Sequence, residues 1–426
     1  MENRYQMPRG TFDLFDEDVI VWQKAEKIIR EICALYGYQE IRTPVFEATE
    51  VFKGENDSSD MVNKEMYTFE DNGGRSMTLR PEGTKGIIRA FVEHKMFGSP
   101  DLPRKLFYIG PMFRYGRPQK GRYRQFHQFG VEAIGARDAL LDVETIALGW
   151  QIIKAMGISN VKVLINSLGD QQSRESYREA LRKHFTPHLD ELCADCHRRL
   201  EQNPLRILDC KVDRDKDFFR AAPKVTDYLN EESRKYFDQV LKGLEDLGIE
   251  YEIDTHLVRG LDYYTNTVFE VVPKDDDGQQ STIYAGGQYD GLVESFGGGD
   301  LCGFGFGMGL ERTISLAREQ GGLQVESEPL DVYVIAMGDV ADYGLRIAQR
   351  LRSEGISAAL DYTHRGMKGQ FKAAERAGSR VIVIAGEDEL KNNTVNIKDT
   401  EKREQITVSL TEMTESICEI LKGQEE

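Results

Sequence analysis

The stretch Gly303-Phe-Gly305-Phe-Gly307-Met-Gly309-Leu310-Glu311-Arg312 has the most informative spacing in the chain. Its glycines alternate with period two, so on a strand all four share one face. Glycine weakens a strand, and a face stripped of side chains makes sense where a flat group such as a nucleobase lies against the backbone. A helix starting after Gly309 would bring Arg312 to that surface, where it can reach a phosphate. A tight bend or close strand packing is the ordinary alternative. A dinucleotide fingerprint fits poorly, because the G-x-G-x-G spacing lacks its strand-turn-helix setting.

Phe113 to Phe126 carries Arg114, Arg117, Lys120, Arg122 and Arg124 and no acid. That imbalance is unexpected in a chain with a formal charge of −17, and a polyphosphate or an RNA end would explain it. Val258-Arg259-Gly260-Leu261-Asp262-Tyr263-Tyr264 and Tyr284-Ala-Gly-Gly-Gln-Tyr-Asp-Gly291 follow. Taken singly, their tyrosines suit a core as well as a pocket. Near the C-terminus Arg365, Lys368, Lys372, Arg376 and Arg380 accompany one acid, Glu375. Lys368, Lys372 and Arg376 share a helical face, which is either simply solvated or an RNA contact.

Six cysteines in 426 residues are no disulfide framework. Cys193-x2-Cys196 with Cys210, and His188 or His197 nearby, could form a zinc site. The second half lacks a paired ligand spacing of its own, so reduced cysteines packed among helices are the favoured reading and no metal ligand is assigned.

These residues need elements to position them. Hydrophobic residues at 40% and charged residues at 30% describe a globular chain. No apolar leader or membrane-length run is present, which points to the cytosol. A helix is predicted over 17–36, stopped by Gly37, and then a strand over Tyr38–Glu47 that Pro44 restricts to an edge or bulge. Together these make a plausible dimer surface. Met77–Pro81 should lead into a helix over Gly83–His94. Strands near 106–109 and 125–133, joined by the basic loop, suggest an antiparallel hairpin. Residues 170–250 look like an inserted helical unit. Strands at 267–272 and 303–309 should close the main sheet. After a linker near 321–329, alternating strands and helices describe a small α/β domain.

Taken together the stretches resemble the class II aminoacyl-tRNA synthetases over essentially the whole chain. Phe113-Arg114 with the strand through Glu132 resembles motif 2, Gly303–Arg312 motif 3, and the helix and strand through Pro44 motif 1. Arg259–Tyr264 and Ala285–Gly291 resemble the two signatures of histidyl-tRNA synthetases. The resemblance implies an α+β catalytic domain at 1–325, built on an antiparallel sheet with a helical insertion at about 170–250. It further implies an α/β anticodon-binding domain at 330–426, a homodimer, histidine tRNA as partner, and ATP with Mg²⁺.

By the same resemblance Arg114 and Arg259 serve the ATP α-phosphate and Arg312 the γ-phosphate, with Phe126, Gly307 and Gly309 also contacting ATP. Glu82, Thr84 and Gln128 match positions for the histidine ammonium, and Glu132 and Tyr264, beside Tyr263, those for the imidazole. Arg117, Lys120, Arg122, Arg124, Arg365, Lys368 and Lys372 become candidate tRNA contacts. One position departs: the acid usual two places after the motif 2 arginine is Gly116 here, so adenine must be held by backbone or another side chain. A histidine-sensing regulatory paralogue without catalysis is the rival reading. Such chains tend to lose the signature residues and the C-terminal domain, both kept here. Another ATP-dependent ligase on the same fold would have no need of either.

Overall fold

The computed structural model describes residues 5–54, 61–118, 121–210, 212–261, 263–275, 282–324 and 329–424. Lys120 and Asp262 lie outside them. The chain divides into two compact units, Met1–Val325 and Glu326–Glu426.

In the first unit the strands are β1 (Gln39–Glu40), β2 (Phe46–Ala48), β3 (Tyr67–Glu70), β4 (Ser76–Leu79), β5 (Arg104–Phe113), β6 (Gln125–Ile134), β7 (Val161–Ser167), β8 (Tyr251–Ile253), β9 (Thr265–Pro273), β10 (Tyr284–Tyr289) and β11 (Gly303–Gly309). Eight of them form one sheet in the order β1-β5-β6-β11-β10-β9-β7-β8. The six central strands are antiparallel throughout, and a parallel partner is added at each edge. The hairpin expected around the basic loop is present, with Arg104 opposite Ile134 and Phe113 opposite Gln125.

Two sequence expectations need correcting. Tyr38–Glu47 is not one strand. Gln39–Glu40 pairs with β5 in the large sheet, whereas Phe46–Ala48 pairs with β4 in a separate three-stranded sheet. Pro44 has no N–H to give a ladder, and the Arg80 guanidinium takes up the neighbouring Thr43 carbonyl at 3.0 Å instead. The glycine strand β11 does not close the sheet either. It lies inside, between β6 and β10, because a strand without side chains on one face lets bulky neighbours in from both sides.

The helix Asp16–Leu35 forms as its 3.6-residue period requires, burying Val21, Trp22, Ala25, Ile29 and Ile32. Gly37 ends it in the left-handed region at φ 75°, while the Tyr38 N–H reaches back to the Cys33 carbonyl at 2.9 Å. With the helix Ala139–Ala155 it covers one face of the sheet, onto which Phe304, Phe306 and Met308 also point. Helices fill 171–246, as expected. Residues from Tyr177 to Val225 gather a hydrophobic cluster of their own, whereas Phe237, Val240 and Leu244 of the helix Glu231–Asp246 belong to the main core.

The second unit has β12 (Val332–Ala336), β13 (Ala358–Leu360), β14 (Val381–Ala385), β15 (Thr394–Asp399) and β16 (Gln405–Ser409), ordered β13-β12-β14-β15-β16. Val332 and Val334 face one apolar cluster and Tyr333 and Ile335 another, so helices cover both faces. On the helix Met367–Arg376, Gln370, Ala373 and Ala374 are buried and Lys368, Lys372 and Arg376 are exposed. Arg365 is tied to Asp361 at 2.8 Å. Arg380 donates to the Leu421 carbonyl at 2.6 Å, a role internal to the unit. Among the described residues no helix is long and apolar enough to cross a membrane.

The crowding at β11 is directly testable. A Cβ at Gly305 would overlap the Glu132 carboxylate and the rigid Val131 carbonyl, while one at Gly309 meets nothing within 4 Å. Gly305→Ala is expected to lower the unfolding free energy by about 1–3 kcal/mol, and Gly309→Ala by much less. Urea unfolding of the two variants side by side measures the difference.

Candidate active site

The polar face of the central strands carries a cavity of about 290 Å³. Its wall includes Glu82, Thr84, Arg114, Phe126, Gln128, Arg259, Tyr263, Tyr264, Gly307, Gly309 and Arg312. Those residues come from four separate stretches of sequence and are brought together here.

The floor follows from strand register. Gly305 stands opposite Glu132 on β6 and Gly287 on β10. Added methyl groups at Gly303, Gly305 and Gly307 would strike Tyr289, Glu132 and Gln128 respectively. The bare face therefore makes room first for side chains of the neighbouring strands. Only Gly307 and Gly309 of the four border the cavity.

Glu132 does not reach the cavity wall. It is 1% exposed, and its two oxygens accept hydrogen bonds from the Thr84 and Tyr289 hydroxyls, each at 2.7 Å. Burial pushes its carboxyl up to about 8; the two hydroxyl bonds work against that shift and the nearby Glu82 carboxylate adds to it. Glu82 accepts the backbone N–H groups of Thr84 at 2.7 Å and Lys85 at 2.9 Å, and so caps the helix Thr84–Glu93 while facing the cavity. One carboxylate thus both caps the helix and borders the cavity.

Sequence reasoning missed several residues of this site. Tyr108 faces Gly130 across the hairpin, fits between Gly83 and Gly130, and donates to Gln128 at 3.2 Å. An aromatic residue opposite a glycine was the available signal. Tyr289 was readable only as part of a motif. Glu270 and Thr282 carried no signal, because their role depends on strand pairing. Glu270 forms an ion pair with Arg259 and accepts from the Thr282 hydroxyl at 2.7 Å. The Thr282 carbonyl in turn accepts from Arg312 at 3.0 Å.

The cations are held in place rather than free. Burial works against the charge of Arg259, but the Glu270 carboxylate, together with Tyr264, Tyr263 and Asp209, outweighs it and holds the guanidinium above its ordinary pKa. Burial lowers that of Arg114, whose Nε donates to the Pro81 carbonyl at 2.7 Å with the guanidinium 5.2 Å from the Phe126 ring. Arg122 pairs with Glu65 and borders the cavity. Arg124 packs 4.2 Å from the Tyr115 ring, and Arg117 is exposed. The place of the missing acid at Gly116 is crowded by Arg122, whose Nε lies 2.9 Å from where a Cβ would stand.

Four arginines thus converge on one small cavity in an acidic chain, beside a polar floor. Such an arrangement neutralises a polyphosphate and orients a small polar molecule. Comparison with known proteins agrees. A family model described as Histidyl-tRNA synthetase matches residues 10–313, and one for an anticodon binding domain matches residues 331–420. The histidine--tRNA ligase of Bacillus subtilis strain 168 is 53% identical over 412 residues, covering 96% of this chain and 97% of its own. That of Staphylococcus aureus strain JH9 is 49% identical over 415 residues, covering 96% and 99%. The crystal structure of apo S. aureus histidyl-tRNA synthetase superposes with a TM-score of 0.81 at 43% identity, covering 97% of this chain and 99% of that one. With two domain matches in the expected order and near full-length relatives at half identity, the chain belongs to the histidyl-tRNA synthetase family.

Proposed function

We propose that this chain activates L-histidine with ATP and transfers it to the 3′ end of histidine tRNA. The observation that carries this reading is the cavity in which Arg114, Arg259 and Arg312 face a floor of Glu82, Thr84, Gln128 and Tyr264. The full-length identity to chains named histidine--tRNA ligase favours charging over the regulatory alternative.

In the first step a histidine carboxylate oxygen attacks the ATP α-phosphorus, and pyrophosphate leaves. Negative charge builds on the α-phosphate oxygens, and two desolvated guanidiniums, Arg114 and Arg259, stabilise it without reorganising. Arg312 holds the far end of the triphosphate, with Phe126 and the open backbone at Gly307 and Gly309 beside the nucleoside. The oxygen donors of Glu82 and Glu311 on the wall suit a hard cation. Glu311 would hold Mg²⁺, which supplies further neutralisation of the phosphates when bound. In the second step a terminal ribose hydroxyl of the tRNA attacks the histidyl carbonyl carbon, and AMP leaves.

Histidine specificity rests on the floor. Glu82, Thr84 and Gln128 accept the ammonium. Rotation of the Thr84 hydroxyl frees a Glu132 oxygen for one imidazole nitrogen, while Tyr264 meets the other. An apolar competitor would leave these buried groups unpaired. Arg117, Arg122, Arg124 and Lys120 around the motif 2 loop, and Arg365, Lys368 and Lys372 on the second unit, are the proposed RNA contacts. The working state is a cytoplasmic homodimer. The exposed Phe46 and Phe69 of the small three-stranded sheet, with Val45 just before it, are apolar surface that a second copy would cover.

ATP–pyrophosphate exchange tests the reading. It should depend on histidine alone among the amino acids and be followed by charging of tRNA; histidine binding without exchange would refute it. Arg259→Ala should reduce exchange about 10²–10³-fold with far less change in the KM for histidine.

Proton linkage tests the role of Glu132. With its carboxyl near 8 and free imidazole near about 6.5, one proton is available to the bound pair between those values, and none is exchanged. The buried carboxylate raises the pKa of an imidazole beside it, so above pH 8, where the empty pocket is ionised, histidine is expected to bind as imidazolium and binding takes up a proton. Calorimetry at pH 8.5 in two buffers of different ionisation enthalpy should show that uptake, and Glu132→Gln should abolish it.

Gly116→Glu tests the departure in motif 2. The new carboxylate can pair with Arg122 and reach toward the adenine side of the cavity. The KM for ATP should fall by a few-fold, with the KM for histidine unchanged.

A further inference from the structure

The helical insertion contains a second cluster of reactive groups, outside the cavity. The Sγ atoms of Cys193, Cys196 and Cys210 and a carboxylate oxygen of Asp213 all lie within 4.8 Å of one another. Cys196 and Asp213 are fully buried and Cys210 nearly so. We propose that these four residues bind a structural Zn²⁺ ion that staples the insertion.

Two of the ligand-atom separations match those of a tetrahedral site, and the four atoms all lie within 4.8 Å. Zn–S bonds of about 2.3 Å and Zn–O bonds of about 2.0–2.1 Å place neighbouring ligand atoms about 3.5–3.8 Å apart. The Cys193 and Cys210 sulfurs are 3.7 Å apart, and the Cys210 sulfur is 3.6 Å from Asp213 Oδ2. A disulfide needs about 2.05 Å, so the sulfurs are not bonded to one another. Thiolate-rich tetrahedral sites select zinc over the hard cations.

Surrounding contacts already orient the ligands. The Cys193 N–H donates to Asp213 Oδ2 at 3.0 Å, and the Asp213 N–H approaches the Cys210 sulfur at 3.3 Å. Lys216 lies 2.9 Å from the other Asp213 oxygen and offsets part of the negative charge of three thiolates and a carboxylate. As the ion binds, the three thiols release their protons to solvent. Sequence reasoning sought a second cysteine pair and found none. The second pair is Cys210-x2-Asp213, which repeats the spacing of Cys193-x2-Cys196 with a carboxylate in the last place.

The site has a purpose in the fold. Residues between Tyr177 and Val225 form only a small apolar cluster, and a core of that size benefits from a metal staple. Cys196 and Cys210 bracket the turn Pro204–Asp209, from which Arg206 donates to the Gly260 carbonyl at 2.7 Å. A clamped turn holds the loop that carries Arg259.

Elemental analysis of the full chain, purified without chelators and under reducing conditions, tests this. The expected result is about one zinc per chain, lost in Cys210→Ser. Should that variant fail to fold, the unmodified chain gives the answer by itself. After zinc is exchanged for Co²⁺, it should show the intense visible bands and sulfur-to-metal charge transfer of a tetrahedral thiolate site. A metal-free chain whose three thiols react freely, and which shows no such bands with Co²⁺, would overturn the proposal.

Discussion

A carboxyl group buried in the middle of an antiparallel sheet is the constraint around which the catalytic unit is built. Glu132 is tolerated there because two hydroxyls satisfy its oxygens and because its cross-strand partner, Gly305, has no side chain. A buried polar group without partners costs several kcal/mol, on the order of 2–7. That penalty makes the surroundings of Glu132 interdependent. Thr84 arrives from the start of a helix capped by Glu82, and Tyr289 arrives from β10 across the glycine strand. Neither element can shift without stranding the carboxyl.

The same strand register separates the two faces of the sheet. Along β11 the glycines open one face to polar side chains, while Phe304, Phe306 and Met308 bury the other in the apolar core. The period of two does both jobs at once. On the polar face the cations are held by a relay from Arg259 through Glu270 and Thr282 to Arg312. A guanidinium fixed this way keeps its charge despite desolvation, and desolvation is what makes that charge effective on a phosphate.

The signature loop around Arg259 is not supported by the sheet alone. Arg206 of the insertion grips Gly260 from outside, and Val258 packs against the insertion's own apolar cluster. The helical unit, although remote in sequence, is therefore part of the scaffold that presents a cavity residue. Its four-ligand cluster sits at the base of the turn that does so. Order in the insertion and order in the site are coupled through Arg206 and also through Arg174, which donates to the Tyr264 carbonyl at 3.2 Å.

By itself the sequence determined the periodic elements and the residues of the motifs. The helix Asp16–Leu35, the hairpin of β5 and β6, the helical run after 170 and the alternating second unit all follow from local period and breakers. The convergence of Arg114, Arg259 and Arg312 followed from motif resemblance, since no local pattern links positions so far apart. Tertiary structure decided what depends on who stands opposite whom. It split Tyr38–Glu47 between two sheets, put β11 inside the large sheet, and withdrew Glu132 behind Thr84. It filled most of the glycine face with Tyr289, Glu132 and Gln128, and it gave Asp213 to the cysteines. Strand pairing and burial join residues across tens or hundreds of positions, and a periodicity read along one segment contains no information about its partner.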